Sequence, residues 1–270
     1  MKASLPKSFE WSLSGPLIGP KDDSYDLAGI KDPSIIEVDG VYHVFASTAK
    51  ESGYNLVYLG FTDFDEANSA TFHYRDQIPF EPHKLWYLVY QNGNAAYSTN
   101  SDISNPCWNL GNGTWVDMWT ICDSSDCYLF SSDDYGHLYR SQTSLGNFPK
   151  GMGNTASNVY STGDGEYLFL VEAIGSDGAR YFRSWTSISL SGTWTSLADT
   201  EAHPFARSNN VKFSTEAWSK SISHGEMVRT KVDQTMAITS CNLRYLYQGV
   251  ETWAPHPGHL CVLTGNYRTG

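Results

Sequence analysis

Two stretches of one pattern indicate the fold: His137–Thr143 (HLYRSQT) and Arg180–Thr186 (RYFRSWT). Each follows a glycine-containing turn, carries aromatic residues and ends in Ser-x-Thr. Recurrence of such units between hairpins is typical of small antiparallel sheets repeated around an axis, so the pattern predicts a β-propeller. A β-sandwich is the competing architecture, and the pattern alone does not separate the two.

The rest of the chain also favours strands. Short apolar runs alternate with turn pairs such as Asp39-Gly40 and Asn92-Gly93, which favour hairpins. No long amphipathic helical window occurs, and Ser144–Phe148 is expected to form one short turn. No linker or low-complexity segment divides the sequence. Residues 1–270 are therefore predicted to form a single all-β domain.

The composition excludes several classes of protein. Lys and Arg number 18 against 29 Asp and Glu, a net charge of −11. Without a basic surface to neutralise phosphates, we expect neither a nucleic-acid partner nor an anionic membrane partner. No apolar run is long enough to cross a bilayer, and Met1–Pro6 is not followed by the apolar stretch of a signal peptide.

The cysteines and aromatic residues add two hints. There are five Cys, and Cys122 and Cys127 flank a short turn between two strand-like runs. A disulfide across this hairpin and a free pair both remain open, while the spacing does not fit a paired zinc motif. The disulfide would favour an oxidising compartment. Nine Trp and 17 Tyr suit sugar rings as well as a β core, and most are expected to serve packing.

Two carboxylates stand out within apolar strands. Asp117 lies in the middle of 115–119 (WVDMW), and Asp32 lies in 30–36 (IKDPSII). An ionised carboxylate in such a setting requires a partner or a chemical role. Two acids on apolar strands suggest glycoside hydrolysis, in which a base and an acid act on opposite sides of a sugar bond.

Several longer motifs carry a resemblance. The segments 30–34 (IKDPS), 43–49 (HVFASTA), 115–119 (WVDMW), 171–178 (VEAIGSDG) and 223–227 (SHGEM) together resemble glycoside hydrolase family 62 from about Phe9 to Gly249. These are α-L-arabinofuranosidases that remove arabinose side chains from arabinoxylan. The resemblance implies a five-bladed β-propeller, secretion to the extracellular space, inversion at the anomeric carbon and often a calcium ion. Family 43 shares the propeller and is the rival, but the long motifs favour family 62.

The resemblance also assigns roles to individual residues. Asp32 matches the general base that activates the attacking water. Asp117 matches the second acid, which raises the pKa of the general acid and orients it. Lys31 matches a residue beside the arabinose pocket, with a solvated surface lysine as the alternative. His224 matches the residue associated with the central calcium site, with a hydrogen-bonded core histidine as the alternative.

The general acid of the family has no counterpart here. Its aligned position is Thr155, directly before Ala156–Tyr160 (ASNVY), and a threonine hydroxyl is a poor proton donor at neutral pH. The sequence is also shortened around Pro79–Glu81 and Asn105–Gly111, and it departs from the family after Gly249. These gaps predict incomplete blades. Glu172, a carboxylate in an apolar strand, is a weak candidate for a substitute acid.

The sequence therefore predicts an inverting α-L-arabinofuranosidase, acting on arabinoxylan, whose turnover is impaired. The alternatives are a non-catalytic arabinoxylan-binding propeller and an inactive truncated product. The chemistry requires no cofactor, although a structural Ca²⁺ is an expectation of the resemblance. We expect a monomer.

Overall fold

The computed structural model describes residues 5–50, 53–74, 88–91, 95–98, 108–109, 116–132, 137–150, 158–163, 165–214, 217–251 and 259–265. For 88–91, 95–98, 108–109, 116, 250–251 and 259–265 the description is limited to the backbone. Pro79–Glu81, Thr155 and most of Asn105–Gly111 lie outside the described residues, as does the greater part of the divergent segment after Gly249.

The described residues form 19 strands in five sheets, with 3-10 turns at Phe64–Ser69 and Ser208–Asn210. Four of the sheets are antiparallel and made of strands consecutive in sequence. The first contains β2 (Gly29–Val38), β3 (Val41–Lys50), β4 (Gly53–Phe61) and β5 (His73–Tyr74). The second contains β6 (Leu88–Gln91), β7 (Ala95–Ser98) and β8 (Trp108–Asn109).

The third sheet contains β9 (Val116–Cys122), β10 (Asp126–Ser132) and β11 (Leu138–Ser144). The fourth contains β12 (Asn158–Gly163), β13 (Glu166–Ile174), β14 (Arg180–Ser187) and β15 (Thr195–Ala198). The recurring stretches of the sequence therefore form β11 and β14, in two different sheets.

The fifth sheet joins the two ends of the chain. Its order is β16 (Val211–Phe213), β1 (Trp11–Ile18), β19 (His259–Gly265), β18 (Arg244–Glu251) and β17 (Ser219–Met227). β1 pairs antiparallel with β19 and parallel with β16. β1 and β19 are the first and last strands of the described chain. Because they are hydrogen-bonded to each other, the sheet holds both ends of the described chain together.

The prediction of an all-β fold is confirmed. Five separate sheets are more than the two facing layers of a sandwich, and closure of the five into a ring stays a prediction, as does the single domain. Turn hydrogen bonds from the Asn147 and Phe148 amides to the Ser144 carbonyl form the short turn expected there. None of the helical turns in the described part of the chain has the length and hydropathy needed to cross a membrane.

β18 lies between two apolar clusters. Tyr245 and Tyr247 pack into a cluster with Trp11, Phe182 and Phe205. Leu246, between them in sequence, packs instead against the core of the β2–β5 sheet. Because successive side chains of a strand point to opposite faces, the even-numbered residues of β18 face β2. This alternation directs the side chains that support the site described below.

The hairpin of β9 and β10 carries a disulfide. Cys122 and Cys127 are directly paired across the two strands, and their sulfur atoms are bonded. Of the two alternatives left open by the sequence, the disulfide is the one that forms. Cys241 is free and exposed.

Candidate functional site

Four strands from four sheets bring the predicted site residues together. His224 on β17 lies at the centre, with its Nε2 3.1 Å from Asp117 Oδ1 on β9. Its Nδ1 lies 3.5 Å from Asp32 Oδ1 on β2 and 3.6 Å from Glu172 Oε2 on β13. An imidazole with three carboxylates around it is an electrostatic cluster, and the sequence placed all four of its members among the candidate site residues.

Three of these residues share an unusual backbone. Asp32, Asp117 and His224 have φ of 50°, 53° and 24°, the left-handed region that non-glycine residues seldom occupy. Each also lies where the strand register shifts. Asp32 lies between Lys31 and Ser34, Asp117 lies opposite Ser131, and His224 lies between Ser223 and Gly225. These are β-bulges, which re-aim a side chain and are common next to active sites. Backbone conformations of this kind cost energy, and they cluster at active sites and ligand-binding sites.

The two carboxylate oxygens of Asp32 have different surroundings. Its Oδ2 pairs with Lys31 Nζ at 3.1 Å. Its Oδ1 is buried and accepts no hydrogen bond from the residues that the structure describes. The Asp32 side chain is 31% exposed, so its carboxylate lies within reach of water, as the position of a general base requires.

The surroundings of His224 favour its charged form. Burial lowers the pKa of His224, but the hydrogen bond that its ring donates to Asp117 and the charges of Glu172, Asp117 and Asp32 outweigh it, so that the pKa rises to about 9. Burial likewise raises the pKa of the Asp117 carboxyl, yet the hydrogen bond and charge of His224 make the net shift downward. At neutral pH the pair is an imidazolium and a carboxylate.

Asp117 is anchored by the strand that carries it. Two residues further along β9, Trp119 donates from Nε1 to the Val159 carbonyl at 2.7 Å. Its ring lies 5.0 Å from that of Tyr160. The Asp117 side chain itself is 49% exposed, so its partner His224 holds it at a surface that a substrate can reach. His224 is therefore the partner that an ionised carboxylate at Asp117 was expected to need.

Glu172 has both oxygens engaged. Its Oε1 accepts from Arg180 Nη1 at 2.5 Å and from Ser223 Oγ at 2.9 Å. Its Oε2 accepts from the His224 backbone amide at 2.8 Å. A carboxylate whose two oxygens both accept hydrogen bonds, one of them from an arginine, is arranged as an acceptor within the cluster.

Lys31 lies at the rim of the cluster. Besides its ion pair with Asp32, its Nζ lies 4.7 Å from the centre of the Tyr54 ring. Tyr54 is 75% exposed, which is uncommon for a large aromatic side chain on a strand. Lys31 therefore has two partners beside the cluster, and its contact with a sugar stays a prediction.

The charges of the cluster balance. Asp32, Asp117 and Glu172 supply three negative charges, and Lys31, Arg180 and protonated His224 supply three positive ones. The carboxylate oxygens converge on the imidazole ring rather than on a common point. Among the described residues, no group of three or more His, Cys, Asp or Glu side chains is arranged to hold a metal ion.

Sequence reasoning missed two supporting residues, Gln248 and Arg180. The Asp32 amide donates to Gln248 Oε1 at 2.7 Å. The signal for Gln248 was a lone amide in the apolar run Leu246–Gly249. Arg180 had no comparable signal, since its role depends on its pairing with Ile174 across the end of the β13–β14 ladder.

Comparison with known proteins identifies the family. The model of glycosyl hydrolase family 62 matches residues 10–258. Over 281 residues the chain is 42% identical to alpha-L-arabinofuranosidase C of Cellvibrio japonicus (strain Ueda107), a match that covers 91% of this chain and 44% of that protein. The chain thus spans less than half the length of that relative.

Solved structures agree with this match. The catalytic domain of the Coprinopsis cinerea GH62 alpha-L-arabinofuranosidase is 54% identical, with a TM-score of 0.86, and the match covers 97% of this chain and 98% of that one. A GH62 hydrolase in complex with xylotriose is 47% identical, with a TM-score of 0.84 and coverage of 96% and 98%. Of the two families considered from the sequence, the chain belongs to glycosyl hydrolase family 62.

Proposed function

We propose that the chain is an α-L-arabinofuranosidase that removes arabinofuranosyl side chains from arabinoxylan with inversion, and that its turnover is impaired. The observation that carries the proposal is the cluster around His224, in a chain that belongs to family 62. The related structure with bound xylotriose supports a xylan main chain as the surface that the site faces.

In this mechanism Asp32 is the general base. Its carboxylate, on a side chain that is 31% exposed, takes a proton from water as that water attacks the anomeric carbon of arabinose. Lys31 pairs with the carboxylate through Oδ2 and presents its remaining N–H groups to a sugar hydroxyl. Asp117, exposed on the other side of His224, is the second acid, which orients the proton donor and raises its pKa.

The proton donor is the incomplete part of the mechanism. The aligned position Thr155 lies outside the described residues. The match to the Cellvibrio protein extends over 281 residues, although the chain itself has 270 and only 91% of them are covered. Because the alignment is longer than the part of the chain that it covers, it contains gaps in this chain, which supports the absence of internal segments. Glu172, bound by Arg180 and Ser223, acts in this proposal as a charge partner of His224 rather than as a substitute acid.

The decisive experiment compares two leaving groups. A 4-nitrophenolate leaves without a proton, whereas a xylan hydroxyl requires one. Loss of general-acid assistance costs about a hundred- to ten-thousand-fold. We therefore expect near-normal hydrolysis of 4-nitrophenyl α-L-arabinofuranoside but arabinose release from arabinoxylan reduced by about that factor. The Coprinopsis catalytic domain, assayed alongside, is the matched reference, and NMR of the first product would test inversion.

Other outcomes separate the alternatives. A ratio of the two rates equal to that of the Coprinopsis domain would show that the chain has a working acid, and the proposed impairment would be wrong. Saturable binding of arabinoxylan without cleavage of either substrate would favour the non-catalytic binding propeller. Absence of a cooperative melting transition would favour the inactive truncated product.

The same proposal includes the propeller architecture, the location, the oligomeric state, the cofactor requirement and a bound calcium ion. The sheets are five blades of a propeller, which the five-sheet organisation supports. The protein acts outside the cell, consistent with the disulfide between Cys122 and Cys127. It is a monomer that requires no cofactor for the chemistry. The structural Ca²⁺ stays a prediction, and calorimetry with added Ca²⁺ would test it.

A further inference from the structure

The bulge that carries Asp32 is held from outside its own sheet. At the bulge Asp32 and Pro33 leave the β2–β3 ladder, which resumes at Ser34. The Asp32 amide donates instead to Gln248 Oε1 at 2.7 Å, and Pro33 has no amide hydrogen to place. The bulge is therefore bonded to a side chain where a regular strand would be bonded to backbone.

A second side chain holds the other end of the bulge. Glu226 Oε2 accepts from Ser34 Oγ at 2.5 Å and from the Ile35 amide at 3.1 Å. Glu226 belongs to β17 and Gln248 to β18, so both contacts come from the fifth sheet. Gln248 therefore holds the start of the Asp32-Pro33 bend, and Glu226 holds the residues that follow it.

Both supporting side chains are buried. Glu226 is 1% exposed and Gln248 is 6% exposed. Gln248 shares the face of β18 on which Leu246 packs against the core beneath β2. The Glu226 carboxylate is compensated by Arg229, whose Nε lies 2.9 Å away. Burying an amide and a charge is costly unless they are bonded, and an apolar residue at position 248 would avoid that cost.

Gln248 also reaches the neighbouring bulge. It lies directly across from Ser223 in the β17–β18 ladder. Its Nε2 is 3.5 Å from Ser223 Oγ, and that hydroxyl donates to Glu172 at 2.9 Å. One amide side chain therefore links the backbone of Asp32 to the residue that precedes His224.

We propose that Gln248 and Glu226 are positioning residues that hold the bulge of β2 so that the Asp32 carboxylate faces the attacking water. This inference rests on the proposed function, in which Asp32 is the base. The left-handed backbone of Asp32 is a conformation that a strand does not adopt unaided. Relaxation of the bulge would turn the carboxylate away without unfolding the sheet.

Gln248→Met tests the proposal, because methionine keeps the length of the side chain and removes its acceptor. A misplacement of about 1 Å costs up to about a hundredfold, so we expect kcat on 4-nitrophenyl α-L-arabinofuranoside to fall ten- to a hundredfold. KM should change little. Gln142→Met, at an exposed position of β11, is the matched control and should leave both constants unchanged.

Amide hydrogen exchange provides a readout that needs no turnover. Loss of one hydrogen bond worth about 1.5 kcal/mol accelerates exchange of the Asp32 amide roughly tenfold, while the amides of β3 should keep their rates. If Gln248→Met does not fold, Ser34→Ala removes the contact with Glu226 by a smaller change and should lower kcat a few-fold.

The outcomes separate the two proposals. Wild-type kcat together with wild-type exchange at Asp32 in Gln248→Met would overturn the positioning role. No hydrolysis by the unsubstituted chain would reject the proposed function, and the exchange rates alone would then decide whether Gln248 holds the Asp32 backbone.

Discussion

Two strands of the site carry a carboxylate in opposite ways. β2 breaks its ladder at Asp32, where the backbone takes a positive φ and side chains of another sheet complete the hydrogen bonding. β13 runs in unbroken register with β14 from Tyr167 to Ile174, and Glu172 lies within that regular stretch. One strand is distorted to present a carboxylate, whereas the other presents one without distortion.

The two carboxylates also differ in the hydrogen bonds that their oxygens accept. Asp32 retains a buried oxygen that accepts no hydrogen bond from the described residues, while both oxygens of Glu172 are engaged. A regular strand gives a side chain that packs and pairs well, which suits a fixed counter-charge. A bulge moves the side chain out of that arrangement and leaves the Asp32 side chain 31% exposed, so that water can reach the carboxylate, as a base requires.

The largest expected effect is the loss of activity in Asp32→Asn. Asparagine tolerates the left-handed backbone, so the bulge should persist while the base is removed. We expect kcat on 4-nitrophenyl α-L-arabinofuranoside to fall at least a hundredfold, with a melting temperature close to wild type. Asp39→Asn is the matched control, since Asp39 also has a positive φ but lies in the β2–β3 turn. Wild-type activity in Asp32→Asn would remove Asp32 from the mechanism.

The second prediction concerns the stability of the cluster as a function of pH. The pKa of His224 is raised from 6.5 to about 9 in the folded state, so the folded protein binds an extra proton between these values. The stabilisation is complete below about pH 6.5 and is lost as the pH rises through about 9, a total of roughly 3 kcal/mol. Urea unfolding at pH 6, 7.5, 9 and 10 would measure this loss.

A matched pair of variants isolates the contribution of His224. In His224→Asn the decline of unfolding free energy between pH 6.5 and 9 should be largely absent. In His203→Asn, at an exposed loop position, the decline should persist. An unchanged decline in His224→Asn would mean that the three carboxylates do not stabilise an imidazolium.

The third prediction addresses the regular strand. Glu172→Gln keeps the shape but removes the charge that faces Arg180 and His224, and a hydrogen bond to a charged group contributes about 1.5–3 kcal/mol. We expect a loss of stability of that order and a lower His224 pKa by NMR titration, with a smaller fall in kcat than in Asp32→Asn. Glu166→Gln, exposed at the start of the same strand, is the control. Loss of arabinose release from arabinoxylan in Glu172→Gln, with hydrolysis of 4-nitrophenyl α-L-arabinofuranoside retained, would instead identify Glu172 as the substitute acid.

The same contrast explains what the sequence could and could not predict. Alternating apolar runs and turn pairs sufficed for the all-β fold, and long motifs sufficed to select Asp32, Asp117 and His224. Bulges leave no comparable signal, because a positive φ at Asp32 depends on Gln248, which is more than two hundred positions away in sequence. The contacts of Glu172 with Ser223 and Arg180 likewise depend on how two sheets meet.

The smallest expected effect is that of Arg180→Gln. The Arg180 side chain is 47% exposed, and an ion pair at such a position contributes at most about 1 kcal/mol. Glu172 would keep its bonds to Ser223 and to the His224 amide, so the cluster should lose little stability and kcat should stay within a few-fold of wild type. A double-mutant cycle with Glu172→Gln would measure the coupling directly. A coupling energy well above 1 kcal/mol would show that β13 depends on Arg180 as strongly as β2 is expected to depend on Gln248. The two strands would then differ in backbone geometry but not in how much they rely on a supporting side chain.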